Sequence, residues 1–63
     1  MKNNLIATSR TKQGLEKLIN KFFYSNNWVL NKDLTLFNNK LNKGTDFYKV
    51  EFKNNRYRFL EAI

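Results

Sequence analysis

A chain of 63 residues offers core enough for one small domain, and with neither cysteine nor histidine it has no disulfide framework and lacks the usual side chains for holding a transition metal. Twelve Lys and Arg against five Asp and Glu give a formal charge of +7, which favours polyanions: nucleic acid, an acidic protein or an anionic membrane surface. An aromatic content of 16% supplies large apolar side chains for a folded module despite a mean hydropathy of −0.69, and no apolar run approaches the length of a membrane span.

A second origin for the charge competes with selection for an anionic partner. Eleven Asn, nine Lys, six Phe, three Ile and three Tyr make up about half the chain. All are encoded by adenine- and thymine-rich codons, and nine of the twelve cations are Lys. Such a coding bias yields cations without any anionic partner, so their positions say more about function than their number.

The first seven residues, Met1-Lys2-Asn3-Asn4-Leu5-Ile6-Ala7, contain too short an apolar run for a secretory signal, so the cytoplasm of a bacterial or virus-infected cell is the expected location. Leu5-Ile6-Ala7 reads as a short edge strand or an apolar lead-in. Thr8, Ser9 and Thr11 are all good helix N-caps. From there Leu15, Leu18, Ile19, Phe22 and Phe23 recur at i, i+3, i+4, i+7 and i+8, predicting a helix over about 10–25 with one buried stripe. Gly14 weakens its first turn, and Asn26-Asn27 supplies the left-handed residue that stops it.

Trp28-Val29-Leu30 predicts a strand, Asn31-Lys32-Asp33 a three-residue turn, and Leu34-Thr35-Leu36-Phe37 the return, placing Leu30 opposite Leu34 and Trp28 opposite Leu36. Trp28 is expected as a core anchor. Asn38-Asn39 repeats the turn chemistry, Lys40-Leu41 starts back, and Lys43-Gly44-Thr45-Asp46 forms a loop.

The final third is the most informative. Alternating runs over about 47–53 and 56–62 flank Asn54-Asn55, predicting a two-residue hairpin that pairs Lys53 with Arg56, Phe52 with Tyr57, Glu51 with Arg58, Val50 with Phe59 and Lys49 with Leu60. One face then carries Tyr48, Val50, Phe52, Tyr57 and Phe59, and the other is mostly charged. The expected fold is α+β, a single domain with one amphipathic helix packed on one face of an antiparallel meander of three to five short strands. Its core should join Leu15, Leu18, Ile19, Phe22 and Phe23 to Trp28, Leu30, Leu36, Val50, Phe52, Tyr57 and Phe59.

Catalytic chemistry is not expected. The commonest general base and the best nucleophile are absent, and the five carboxylates read as turn caps and surface pairs, with Glu16 near Asn20 and Glu51 facing Arg58. Two isolated glycines make no phosphate loop, and no cofactor is implied. What remains is a binding surface. Lys49, Lys53, Arg56 and Arg58 share the non-core face of the hairpin with Phe47 and Leu60, a chemistry suited to tracking phosphates and stacking a base, although a plain solvated face would look the same. Arg10, Lys12, Lys17 and Lys21 add a basic helix flank, where Lys17 and Lys21 are a like-charged i,i+4 pair.

The order of a helix followed by strands, with Asn27-Trp28 entering the first strand, is loosely similar to the double-stranded-RNA-binding-like fold of small RNA-targeting toxins over about residues 15–30. The histidine those toxins use is missing, as is a second helix after the strands, so the resemblance carries no function to this chain. A winged helix would need two or three helices where the pattern gives one. The sequence therefore points to a small basic binding module, with nucleic acid, DNA or RNA, as the favoured partner. The alternative is a regulator or inhibitor, of the kind mobile elements encode, that docks on an acidic protein or self-associates through a sheet edge.

Overall fold

The carboxy-terminal ribbon folds back at Asn54 and Asn55, both in the left-handed region (φ 54° and 62°), the conformation a type I′ turn demands and Asn tolerates best after glycine. The computed structural model describes residues 3–62; Met1, Lys2 and Ile63 lie outside the described residues. The hairpin strands are Tyr48–Lys53 and Arg56–Ala62, in the expected register from Lys53 opposite Arg56 through to Tyr48 opposite Glu61.

In chain order the elements are β1 (Asn3–Ser9), α1 (Lys12–Phe22), β2 (Trp28–Leu30), β3 (Leu36–Asn38), β4 (Lys43–Gly44), β5 (Tyr48–Lys53) and β6 (Arg56–Ala62). The α+β class holds, with one helix and only antiparallel pairing among the described residues. The six strands divide into two three-stranded sheets, β1-β6-β5 and β2-β3-β4, where one meander was expected. The division follows from β1. The lead-in is a full strand that crosses the molecule to pair with β6, which becomes the centre of its sheet. The register shifts between Leu5 and Ala7, and this bulge turns both Ile6 and Ala7 toward the core.

The helix is shorter than its apolar period suggests, because both ends are fixed locally. Thr11 is the N-cap, its hydroxyl accepting from the Gly14 N–H at 3.0 Å, and Ser9 Oγ accepts from Thr11 N–H at 3.3 Å. A Cβ at Gly14 would fall 2.4 Å from Ser9 Oγ and 2.8 Å from Thr11 Oγ1, so the glycine leaves room for the cap. At the other end Tyr24 N–H donates to Lys21 C=O and Ser25 N–H to Asn20 C=O, a Schellman pair with Tyr24 itself left-handed at φ 52°. Tyr24 stops the helix ahead of Asn26-Asn27.

Two loops also differ. Leu30 faces Leu36 and Trp28 faces Asn38, two residues along from the expected register, because the connection spans 31–35. Leu34 N–H bonds Asn31 C=O and Asn31 N–H bonds Thr35 C=O, which holds Leu34 at φ 69° within the loop. After β3, buried Asn38 accepts from both Lys40 and Leu41 N–H at 2.9 Å, so Lys40-Leu41 is turn and the strand resumes at Lys43.

Leu15, Ile19, Leu30, Leu36, Val50 and Phe59 form the core. Phe22, Phe23, Tyr48 and Phe59 interlock edge-on or stacked within 6.0 Å, and Trp28 stacks on Phe23 at 4.7 Å as a partly buried anchor. Of the expected core residues Phe23, Trp28 and Tyr57 are partly buried, and three are exposed. Leu18 and Phe22 sit on the rim of the helix stripe, and Phe52, 51% exposed, lies near the hairpin tip. α1 lies against β1, β6 and β2, and no second layer reaches that tip, where Phe52 leans on Tyr57 at a ring separation of 4.7 Å.

Candidate anion-binding face

Because side chains alternate along a strand, the side of the β1-β6-β5 sheet turned away from α1 collects Leu5, Thr8, Lys49, Glu51, Lys53, Arg56, Arg58 and Leu60. The hairpin cations therefore do share one open face. It is polarised along the strands. At the turn end Lys53 and Arg56 stand directly opposite each other, both exposed, and no carboxylate among the described residues pairs with either. One pair further along, Arg58 Nη1 donates to Glu51 Oε1 at 2.9 Å, so this guanidinium is partly neutralised and its plane is fixed.

The other end is apolar. Leu60 lies on the expected face, between Leu5 and Lys49 on the central strand, but is only 4% exposed. A residue in a middle strand is screened by neighbours on both sides even without a covering layer. Phe47, 66% exposed, precedes β5, and its carbonyl accepts from Ala62 N–H at 2.8 Å. It stands at the Lys49 end of the face, six residues from Lys53, roughly 20 Å along an extended strand.

Lys17 and Lys21 are not part of this face. Each lies two residues, or about 200° of helix rotation, beyond a core residue, Leu15 and Ile19 respectively, and so projects away from the sheet. They share a shallow depression with Asn20, Tyr24, Ser25 and Asn26. Tyr24 is 98% exposed there, and its position one step off the apolar stripe is the only mark it carries in the sequence.

The carboxylates have structural work. Glu16 Oε2 accepts from Leu30 N–H at 2.9 Å, while Asn20 accepts from Trp28 N–H and donates to Trp28 C=O, so two helix side chains bond three outer backbone groups of β2. Asp33 Oδ1 accepts from Thr35 Oγ1 at 2.6 Å and from Thr35 N–H at 3.2 Å, and these bonds, the hydroxyl's first, hold its carboxyl below the ordinary Asp range. Among the described residues no cluster of His, Cys, Asp or Glu could hold a metal ion, and no helix is long and apolar enough to cross a membrane.

No family model matches the chain, and comparison with curated proteins and with solved structures gives no significant match to either.

Proposed function

We propose that the chain is a non-enzymatic binding module whose open sheet face contacts nucleic-acid phosphates, with Lys53 and Arg56 as the principal contacts and Lys49 and Arg58 beside them. The observation that carries this reading is the uncompensated Lys53–Arg56 pair. Like charges directly across a strand pair repel, and an anion seated between them would relieve that cost. Arg58, held in plane by Glu51, offers its remaining N–H groups to the same strand of phosphates. Phe47 gives the far end of the face an aromatic surface on which a base can stack. The exposed Leu5 and Phe47 at that apolar end favour a second reading, docking of the same face on an acidic protein.

Binding of single- and double-stranded DNA and RNA, titrated at two salt concentrations, tests the first reading. Affinity is expected to fall with salt at a log–log slope of roughly 0.7–0.9 per phosphate contacted. The double variant Lys53→Glu/Arg56→Glu is expected to lose binding while keeping its fold, and Lys17→Glu/Lys21→Glu to keep most of it. Retention of wild-type affinity by the hairpin variant would defeat the reading. Absence of nucleic-acid binding, with salt-insensitive capture of one acidic protein, would support the second.

A further inference from the structure

We infer that β5 is a self-complementary edge through which two copies of this chain join their β1-β6-β5 sheets into one continuous six-stranded sheet. The other strand edges of the molecule are protected. β1 carries the bulge at Ile6, β2 has its outward Trp28 N–H and C=O and Leu30 N–H bonded by Asn20 and Glu16, and β4 is two residues long. β5 is six residues long, without a bulge, and has β6 as its only strand neighbour.

The ladder fixes which of its backbone groups are free. Bonded and non-bonded pairs alternate between antiparallel strands. Ala62 N–H bonds Phe47 C=O, so the bonded positions of β5 are 49, 51 and 53. Tyr48, Val50 and Phe52 therefore direct their N–H and C=O groups away from β6.

An isologous antiparallel pair must centre its two-fold axis on one residue, and charge selects which. Centring on Lys49 or Glu51 sets like charges face to face, centring on Phe52 runs the pairing into the turn after one residue, and centring on Tyr48 runs it past the start of β5 as quickly. Centring on Val50 places Val50 opposite its own copy, an outward-bonding position. It also places Lys49 opposite the second copy's Glu51, twice by symmetry, at a close non-bonded pair. Lys53 then falls opposite Phe47, covering an exposed ring with a cation.

The other side of the sheet agrees. In this register Phe52 of the second copy lies opposite Tyr48, beside a groove of about 560 Å³ lined by Leu34, Leu36, Tyr48 and Val50 among others. The half-exposed ring at one hairpin tip thus meets the apolar wall of a groove on the other copy whose opposite side, at Lys43, Thr45 and Asp46, is polar. Lys53 and Arg56 remain uncompensated, so the joined sheet presents two such pairs on one face.

Sedimentation velocity on the full chain without nucleic acid, from micromolar to millimolar concentration, tests this independently of the phosphate reading. The expected result is a reversible rise toward twice the 7.6 kDa monomer mass, accompanied by concentration-dependent protection of the Tyr48, Val50 and Phe52 amides from hydrogen exchange. Phe52→Lys, at a half-exposed site outside the core, and Lys49→Glu are each expected to hold the chain monomeric with an unchanged far-ultraviolet spectrum. A chain that stays monomeric throughout, a dimer unaffected by Phe52→Lys, or a dimer whose 48, 50 and 52 amides exchange freely would overturn the inference.

Discussion

Tyr24, Leu34, Asn42, Asn54 and Asn55 all adopt positive φ, and three of the five are Asn, the residue that bears this conformation at least cost after glycine. The Asn-rich composition is thus partly turn chemistry, whatever the codon usage. Tyr24 is the expensive member, a bulky side chain held left-handed with its ring in solvent. Tyr24→Gly is expected to raise stability by about 1 kcal/mol, read as a shift in the urea midpoint, since glycine relieves the backbone and no packing is lost. At Asn55 the reverse applies, and Asn55→Val should cost about 1–2 kcal/mol by forcing a β-branched residue into the same region. Asp33 gives a pH prediction. Its carboxyl is depressed in the folded chain, so its contribution is complete above the ordinary Asp value and disappears as pH falls through the depressed one. An NMR titration should find its midpoint below that of a model peptide, and Thr35→Val should return it toward the ordinary range.

At the scale of elements, the hairpin was legible because a two-residue turn leaves no freedom. Once Asn54-Asn55 closes the ribbon, every pair from Lys53–Arg56 to Tyr48–Glu61 follows. The connection at 31–35 was not legible, because its length is set by Asn31, Asp33 and Thr35 bonding one another, and three residues satisfy the same apolar pattern as five. Nor was the role of Asn20 and Glu16, which depends on β2 lying along the helix. Their bonds replace a missing neighbour strand. Asn20→Ala leaves Trp28 N–H and C=O without partners and is expected to destabilise by about 1–3 kcal/mol, with faster hydrogen exchange at Trp28.

Over the whole molecule, the sequence gives periods and turns but not which part of a long hairpin is roofed. Phe52 and Phe59 lie on the same side of the same sheet, yet Phe59 is wholly buried beneath α1 while Phe52 extends past its cover. Phe59→Ala is expected to cost about 3–5 kcal/mol, comparable with the entire stability of a domain this small, and so to leave the chain largely unfolded. The same geometry separates the cations, with Lys49, Lys53, Arg56 and Arg58 on the open sheet and Lys17 and Lys21 behind the helix. Spacing along the sequence could not settle that separation, because it depends on which side of the sheet the helix occupies. The phosphate-contact reading stands or falls on the sheet face alone. Its most direct measurement is amide chemical-shift mapping of the full chain during titration with a single-stranded oligonucleotide at low salt. The account predicts the largest shifts at Lys53, Arg56 and Arg58, fading toward Phe47 and sparing Lys17, Lys21 and Tyr24. Shifts confined to the helix residues, or none at all, would contradict it.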